Sequence, residues 1–568
     1  MTDTCRTPPG GMFSFLGLKT STVVSVFAVL PLLIIFLAPI LVSRLGRFLG
    51  FTLRKKTEGR RLQLVAFMNE EDEAYRKANS GPEKASLGQE KAPGQTIDNW
   101  DGVIGFFHPF CNAGGGGERV LWAAIRATQD RWPKAKCIVY TGDHEVTKEA
   151  ILHRVRVSFP QSILEGQSRG YVLTALTMKN RFNIHLHPPS VQFLYLSKRH
   201  WVLASTWPHF TLLGQSLGSM VLAWDAFSLL TPDVFVDTMG YAFALGLCKF
   251  LFPKVPTGAY VHYPTISTDM LDSLDPDSAV GKQGVNAGQG TGTRGFAKKT
   301  YWSLFARLYS RVGSTIDVVM TNSTWTQAHV KTLWGPRRVL KDRNHPIAVV
   351  YPPVAVRELE HEVEVSEASE PKREQVILYI AQFRPEKNHQ LILQSFAKFL
   401  KTKSKAAEKA RLVLIGSVRD DQDSKKVYQL RLQANELGIK HKVEFHLDAS
   451  WPEILEWLRR ASVGVNGMWN EHFGIGVVEY QAAGLISVVH NSGGPKLDIV
   501  VEVDGEPTGF HATSEDEFAR GFEQALSQSD SLAMRKRARK SAARFTEEEF
   551  AKKWVDETSR LIALAGRR

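Results

Sequence analysis

The sequence predicts an α/β protein in which two parallel-sheet domains face a cleft and one transmembrane helix precedes them. Three observations support this prediction. A chain of 568 residues is longer than one typical core, so two globular domains are expected. Short apolar runs alternate with helix-like segments in both halves of the chain, as they do in parallel sheets. Residues 23–42 carry no charge and are long enough to cross a bilayer.

The apolar segment 23–42 is interpreted as an uncleaved anchor. A secretory signal peptide usually has a shorter apolar part followed by small residues, whereas Ser-Arg-Leu-Gly-Arg follows this segment. Seven Lys and Arg residues lie between residues 43 and 61 and only two precede the segment, and the side richer in these residues normally stays cytosolic. We therefore expect a lumenal tail over residues 1–22 and cytosolic globular domains.

A basic and polar linker is predicted over residues 43–99, because its later part lacks apolar periodicity. The first domain is predicted over residues 100–345. Within it, residues 234–252 are interpreted as a buried strand and helix, and a shallow membrane-embedded helix is the alternative. Residues 269–298 are rich in glycine and poor in large apolar side chains, which predicts an exposed, flexible insertion.

The second domain, with a helix at its carboxyl end, is predicted over residues 346–568. Strand-like runs at 376–380, 412–415 and 443–445 alternate with helix-like segments. In consecutive parallel α/β units, ligands bind at the carboxyl ends of the strands. The cleft between the two domains is therefore the expected site.

Composition excludes some functions. The net charge of +13 does not indicate nucleic-acid binding, because Lys and Arg are spread along the chain without a recognisable motif. A positive surface also suits anionic lipid headgroups or phosphorylated substrates. The four cysteines form no CxxC pair, which favours a reducing compartment and no structural zinc.

Two glutamates, Glu471 and Glu479, carry the strongest functional signal. Eight residues of helix advance roughly 12 Å, about the separation between the hexose and the ribose of a nucleoside diphosphate sugar. Phe473, Gly474 and Ile475 fall where that helix would begin, so unpaired backbone amides there could bind a diphosphate. The alternative is that both glutamates merely decorate an amphipathic helix.

Arg384 and Lys387 follow a predicted strand in a strand-to-helix loop. A leaving nucleoside diphosphate gains negative charge in the transition state, and two fixed cations can neutralise it without a metal. The alternative is an ordinary exposed basic loop. We predict that these two cations bind the diphosphate and assist catalysis.

In the first domain, four consecutive glycines lie between a strand and a helix, where the backbone can close on a phosphate or a sugar. Gly115, Gly116 and Gly117 are therefore predicted to contact the nucleoside diphosphate sugar, and a flexible turn is the alternative. The segment lacks the Gly-Lys-Ser/Thr ending of an NTPase loop and does not complete the dinucleotide fingerprint. Kinase and dehydrogenase functions are accordingly disfavoured.

Two further residues are catalytic candidates. His262 follows a predicted strand and is expected to face the cleft, although a hydrogen-bonded core histidine has the same pattern. Asp237 lies in an apolar stretch, where an unpaired carboxylate is costly to bury. It therefore needs either a structural partner or a substrate contact.

Taken together, the motifs of the second domain resemble those of retaining glycosyltransferases with the GT-B fold, which has two Rossmann-like domains. The resemblance rests on FRPEKN at 383–388, NEHFGIGVVEYQAAG at 470–484 and HNSGGP at 490–495. It implies that Glu471 contacts the transferred sugar, Glu479 the ribose, and Arg384 and Lys387 the diphosphate. It also implies that no metal is required, and the chain has no Asp-x-Asp motif in a metal-site context.

A narrower resemblance is to the dolichol-pathway α-1,2-mannosyltransferases. It is carried by HPFCNAGGGGERVLW at 108–122, AYVHYPTISTDML at 259–271 and the single amino-terminal anchor. It implies a cofactor-free enzyme at the cytosolic face of the endoplasmic reticulum that takes mannose from GDP-mannose. The fourth and fifth mannoses would be added to dolichyl-diphosphate-linked trimannosyl chitobiose, and other early mannosyltransferases of the pathway are candidate partners. The glycine-rich insertion after Met270 and the polar linker before Trp100 are departures from the family pattern.

Three alternatives stay open at this point. Another retaining sugar-nucleotide glycosyltransferase could act on a lipid-linked acceptor. A hydrolase could use Glu471 and Glu479 as acid and nucleophile, but it leaves Arg384, Lys387 and the glycine loop without a function. A scaffold of the mannosyltransferase complex would need no catalytic site, whereas all four donor-site residues are present.

Overall fold

The computed structural model describes residues 20–79, 99–156, 183–275, 278, 291–340 and 345–566, with side chains from residue 37 onward. Two parallel sheets organise this part of the chain. The strands of the first sheet are β1 (Val103–Phe107), β2 (Lys136–Thr141), β3 (Val191–Tyr195), β4 (Val234–Asp237), β5 (Thr257–Val261), β6 (Val318–Thr321) and β7 (Ala348–Val349). Those of the second are β8 (Glu374–Ile380), β9 (Arg411–Gly416), β10 (Val443–Leu447), β11 (Ala461–Asn466), β12 (Ile486–His490) and β13 (Gly509–Ala512).

The strand order places a crevice in each sheet. The first sheet has the order β3-β2-β1-β4-β5-β6-β7 and the second the order β10-β9-β8-β11-β12-β13, and all neighbours are parallel. In the first sheet, β2 and β3 therefore lie on one side of β1, and β4 and the later strands lie on the other. In the second sheet, β9 and β10 lie on one side of β8, and β11 and the later strands lie on the other. Such switch points open a crevice at the carboxyl ends of the strands, where ligands bind.

Helices cover both faces of each sheet, because the central strands are apolar on both sides and have to be buried. Those that precede β8 are Thr20–Ala78, Gly116–Arg131, Lys148–Arg156, Thr211–Leu229, Ala242–Leu251, Thr268–Asp272, Gly292–Gly313, Thr324–Val339 and Val356–Glu362. Those that follow β8 are His389–Lys401, Lys405–Lys409, Asp421–Glu436, Trp451–Arg460, Ile475–Ala482, Glu515–Leu526, Ser531–Ala542 and Glu547–Gly566.

The linker predicted over residues 43–99 is wrong as far as Ala78, because a single helix runs from Thr20 to Ala78. Met68 is fully buried against the first domain. The Lys148 ammonium lies 2.9 Å from the Glu71 carboxylate and fixes the polar end of the helix on the domain. These tertiary contacts account for a helix where the local pattern is too polar to predict one.

None of the helices that the structure describes combines the length and the apolar character needed to cross a membrane. The anchor predicted over residues 23–42 lies mostly before residue 37, among side chains outside the described residues. The anchor and the lumenal tail over residues 1–22 therefore stay predictions.

Residues 234–252 form β4 and the helix Ala242–Leu251, which confirms the strand-and-helix interpretation. Ala244 and Cys248 of this helix are buried in the core of the first domain. The predicted insertion over residues 269–298 is helical at both ends, in Thr268–Asp272 and from Gly292 onward. Most of the residues between these helices lie outside the described residues.

The carboxyl-terminal helix Glu547–Gly566 packs mainly on the first domain, whereas the sequence analysis assigned it to the second. Phe550, Trp554 and Leu561 are buried in the core between this helix and β1, β4 and β5. The Trp554 indole nitrogen donates to the Thr128 hydroxyl at 3.1 Å. Its apolar stripe therefore matches a surface that is distant in the chain, which the pattern of the helix alone does not specify.

Candidate active site

The loop between β11 and the helix Ile475–Ala482 forms the floor of the candidate site. Gly474 caps this helix with φ of +105°, a conformation that favours glycine. A Cβ atom on Gly493 would lie 2.3 Å from the Glu471 carbonyl oxygen, so this second glycine permits a close approach of two backbones. The first backbone amides of the helix have no partner within it and can receive an anion.

Glu471 and Lys387 form an ion pair in this loop. The Asn466 amide donates to the same carboxylate at 3.5 Å, and the Lys387 ammonium also lies 3.2 Å from the Met468 sulfur. Burial alone would raise the pKa of Glu471, but the charge and the hydrogen bond of Lys387 hold that pKa below its usual value. Glu471 is therefore an ionised carboxylate that is largely shielded from solvent, with 13% of its side chain exposed.

A pocket of about 280 Å³ opens between the two domains beside this ion pair. The second domain contributes Ile380, Ala381, Lys387, Asn466, Glu471, His472, Phe473, Gly474, Ile475, Gly476 and Tyr480, and the first contributes Gly116, Gly117, His262 and Asn322, with Pro352 between the two sheets. Most of the predicted site residues thus meet at one cleft.

The first domain closes the pocket with its glycine loop and His262. A Cβ atom on Gly117 would lie 3.6 Å from the His262 ring, and one on Gly116 would lie 2.6 Å from the Ile475 side chain across the cleft. The His262 Nε2 donates to the Thr238 carbonyl at 3.0 Å. Because burial lowers the pKa of His262 to about 4, its imidazole is neutral at pH 7.

Glu118 shapes the glycine loop, and the sequence analysis missed it. Its carboxylate accepts the backbone amides of Ala113 and Gly114. Burial raises the pKa of Glu118 to about 7, against the effect of these two hydrogen bonds. A glutamate in the first turn of a helix after a glycine run was the available signal.

Four predicted residues lie outside the pocket lining: Arg384, Asp237, Glu479 and Gly115. The Arg384 side chain faces a second hollow, of about 560 Å³, which Arg419 and Lys426 also line. Arg384 directly precedes the short turn Pro385–Lys387, and the two cations line different hollows. The structure therefore does not bring Arg384 together with Lys387.

Asp237 has structural partners. Its fully buried carboxylate accepts the backbone amides of Met239, Gly240 and Tyr241, at 3.2, 2.8 and 2.8 Å. Burial nevertheless raises its pKa to about 7. These contacts fix the start of the helix Ala242–Leu251, so the cost of burying this carboxylate is accounted for without a substrate.

Glu479 lies five residues along the helix from Gly474 and is half-buried. Burial raises its pKa to about 7, although the positive charge of Arg119 in the first domain acts in the opposite direction. Arg119 also forms an ion pair of 2.8 Å with Glu547. Near pH 7, Glu479 therefore populates both its charged and its neutral form, and it lies at the boundary between the two domains.

The residues on either side of Glu471 contact the first domain. The His472 ring stacks on Tyr263, with 4.0 Å between ring centroids, and lies 5.4 Å from Trp325. The Asn470 amide donates to the Asp269 carboxylate. Neither His472 nor Asn470 was predicted as a site residue, and Asn322 and Asn466 were missed although each stands at the carboxyl end of a strand, where ligands bind.

Within the part of the chain that the structure describes, no group of three or more His, Cys, Asp or Glu side chains could hold a metal ion. That the reaction needs no metal stays a prediction. The cations that face an anionic ligand in the pocket are then the Lys387 ammonium and the positive end of the helix Ile475–Ala482.

Two parallel α/β sheets that face one cleft define the GT-B class of glycosyltransferase fold. Solved structures share it at low identity. A trehalose 6-phosphate synthase from Burkholderia multivorans aligns over 82% of this chain and 100% of its own, with a TM-score of 0.55 and 14% identity. A sucrose-phosphate synthase from Thermosynechococcus elongatus aligns over 81% of this chain and 99% of its own, with a TM-score of 0.54 and 13% identity.

Sequence relatives are much closer. The family model described as ALG11 mannosyltransferase N-terminus matches residues 101–176 and 168–334, and the model described as glycosyl transferases group 1 matches residues 361–545. A GDP-Man:Man(3)GlcNAc(2)-PP-Dol alpha-1,2-mannosyltransferase from Neurospora crassa is 64% identical over 96% of this chain and 98% of its own. The enzyme of that name from Homo sapiens is 44% identical over 81% of this chain and 87% of its own. The chain belongs to this family of α-1,2-mannosyltransferases, which confirms the resemblance drawn from the motifs.

Proposed function

We propose that the chain transfers mannose from GDP-mannose to dolichyl-diphosphate-linked trimannosyl chitobiose in α-1,2 linkage, the reaction that the names of its relatives describe. The transfer proceeds with retention and adds the fourth and fifth mannoses. The observation that carries this proposal is the ionised Glu471, paired with Lys387 on the wall of a pocket between the two domains.

The donor lies across the cleft with its diphosphate at the start of the helix Ile475–Ala482. There, unpaired amides and the Lys387 ammonium stabilise the charge that develops on the leaving group. Glu471 accepts hydroxyl hydrogen bonds from the mannose and fixes its orientation. Arg384 contributes to binding the diphosphate only if its side chain turns away from the second hollow when the donor binds.

Glu479 binds the ribose. The two glutamates are eight positions apart along the chain, and Glu479 lies between Gly476 and Tyr480, two pocket-lining residues of the helix. A ribose hydroxyl offers a carboxylate a hydrogen bond in place of the distant charge of Arg119. No metal or other cofactor takes part in this proposal.

The acceptor enters from the side of the first domain, where Gly116, Gly117 and the neutral His262 line the pocket. Its hydroxyl attacks from the face that the diphosphate leaves, which retains the anomeric configuration. A double displacement would instead place a carboxylate beneath the anomeric carbon. A trapped mannosyl adduct on any carboxylate of the chain would overturn the same-face route.

The site works at the membrane of the endoplasmic reticulum, since its acceptor is lipid-linked. The predicted anchor over residues 23–42 places the amino terminus in the lumen and both domains in the cytosol. Other early mannosyltransferases of the pathway, which handle the same lipid, are the proposed protein partners.

The detergent-solubilised full chain, given competing GDP- and UDP-sugars and a trimannosyl lipid acceptor, tests the substrates. We expect products heavier by one and two hexoses, derived from GDP-mannose and removable by an α-1,2-mannosidase. Incorporation from a UDP-sugar alone would refute the mannosyl assignment. Release of free mannose without acceptor, at the rate seen with acceptor, would favour a hydrolase.

A further inference from the structure

One layer of helices covers one face of the first sheet. Its members are Thr20–Ala78, Thr211–Leu229, Ala242–Leu251 and Gly292–Gly313, which contribute to the same core cluster. The rings of Phe243 and Phe305 stack at 6.0 Å and join the third and fourth helices. The Leu213 backbone amide donates to the Tyr301 hydroxyl at 3.0 Å and joins the second and fourth. The four helices therefore form one continuous surface.

The outer side of the helix Thr211–Leu229 is apolar. Leu217, Val221 and Trp224 are spaced as on one helical stripe and are exposed by 47%, 37% and 39%. Asp225 is the one charged residue of this helix, and its carboxylate accepts the backbone amides of Ser197 and Lys198. A helix at a water-facing surface normally presents polar side chains along that stripe.

The helix Gly292–Gly313 carries five basic residues and no acidic one: Arg294, Lys298, Lys299, Arg307 and Arg311. Its exposed side also presents large apolar side chains, with Phe296 exposed by 73% and Leu304 by 58%. A helix that mixes basic and large apolar residues on its exposed side is typical of the membrane interface, where it binds anionic lipid headgroups.

The amino-terminal helix extends this surface toward the predicted anchor. Phe48 and Phe51 are exposed, and seven basic residues stand against one acidic residue between positions 37 and 61. A Cβ atom on Gly46 would lie 2.6 Å from the Phe250 ring, so the helix crosses Ala242–Leu251 at close range. The apolar surface is thus continuous with the residues that follow the anchor.

We propose that the exposed side chains of this layer form a membrane-docking face that lies on the anionic cytosolic leaflet. The positive charge of this face favours an anionic lipid surface as its partner. Its continuity with the predicted anchor brings it to the bilayer. The role of the face in presenting the lipid-linked acceptor rests on the proposed function. Thr238, whose carbonyl accepts a hydrogen bond from His262, lies four residues before the helix Ala242–Leu251 and links the face to the pocket.

Lipid-phase quenching tests the face. In the full chain with Cys5→Ser, a single cysteine is introduced at one of two positions, Leu217→Cys or Leu304→Cys. Each variant is labelled with an environment-sensitive fluorophore and reconstituted in vesicles that contain phosphatidylserine. Tyr428→Cys, on an exposed position of the second domain, is the matched control. Cys111, Cys137 and Cys248 are buried and should stay unlabelled. We expect nitroxide-labelled lipids to quench the first two labels and to leave the control unquenched.

Charge reversal tests the electrostatic part. In the same vesicles, Arg307→Glu with Arg311→Glu should remove the quenching at Leu304→Cys, whereas Lys405→Glu with Lys409→Glu in the second domain should not. Labels at Leu217 and Leu304 that stay water-exposed, in vesicles where mannose transfer proceeds, would overturn the face and leave the proposed function intact. Labels shielded from water without lipid quenching would indicate a protein contact and would also overturn it. Quenched labels without any transfer would support the face and count against the proposed function.

Discussion

The imidazole of His472 stacks on the phenol ring of Tyr263 at 4.0 Å, and this contact joins the two domains one residue away from Glu471. On the other side of Glu471, the Asn470 amide donates to Asp269 of the first domain. The residue that is proposed to hold the mannose is therefore flanked by two contacts across the cleft.

This stack predicts that His472 positions Glu471 through the first domain. His472→Ala should lower kcat and leave the affinity for GDP nearly unchanged, whereas His472→Phe should restore most of the rate, because it retains a ring. In a double-mutant cycle with Tyr263→Ala, the coupling on kcat should be about 0.5–1.5 kcal/mol, the range for an aromatic pair. Additive effects of the two substitutions would contradict a joint role.

The ion pair of Lys387 and Glu471 predicts a pH-dependent stability difference. Without Lys387, burial is the main influence on the Glu471 carboxylate, so Lys387→Ala should raise the pKa of Glu471. In the wild type, the lowered pKa of Glu471 contributes stability near neutral pH that is lost as pH falls through that pKa. In the variant, the raised pKa makes the ionised form unfavourable, and acidification relieves this cost.

The thermal unfolding midpoint of Lys387→Ala should therefore lie furthest below that of the wild type near pH 7, and the gap should narrow toward pH 4. The matched control compares the single variant Glu471→Gln with the double variant Glu471→Gln and Lys387→Ala. Both proteins lack the titrating carboxylate. The difference between the unfolding midpoints of these two variants should not change between pH 7 and pH 4. A gap that widens on acidification would contradict the assignment.

The close approach of Gly116 and Ile475 predicts that the glycine loop tolerates side chains unequally. Gly116→Ala forces the terminal methyl group of Ile475 to move, at a cost of about 0.5–1.5 kcal/mol that should appear as a lower kcat/KM. Gly115→Ala is the matched control, because no heavy atom lies within 4 Å of the added carbon. Steady-state transfer rates distinguish the two, and equal losses would show that loop flexibility matters rather than this contact.

The packing of the carboxyl-terminal helix predicts that Trp554 stabilises the first domain. Trp554→Ala should lower the free energy of unfolding by about 3–5 kcal/mol, because the indole is fully buried and donates to Thr128. Lys552→Ala, on the exposed side of the same helix, should change it by less than about 0.5 kcal/mol. Chemical denaturation followed by circular dichroism provides the measurement, and equal values for both variants would contradict the packing.

The sequence predicts those features that depend on neighbouring residues. The apolar run of β1 and the loop around Glu471 are local patterns, and both lie where the motifs indicate. Arg384 and Trp554 depend instead on contacts with other parts of the chain. Arg384 lines a hollow with Arg419 and Lys426, and Trp554 is buried against a surface over 400 residues earlier in the chain. His472 was missed because a stack between domains leaves no periodic signal.

Turnover of Glu471→Gln at saturating GDP-mannose and lipid acceptor tests the central claim most directly, because glutamine keeps the volume of the side chain and removes its charge. Glu479→Gln is the matched control, and thermal unfolding and GDP binding verify that both variants are folded. We predict that Glu471→Gln loses about 10²-fold or more of its mannose transfer, whereas Glu479→Gln retains most of its turnover once the donor saturates. Mannose transfer by Glu471→Gln at the wild-type rate would contradict the assignment of this pocket as the catalytic site.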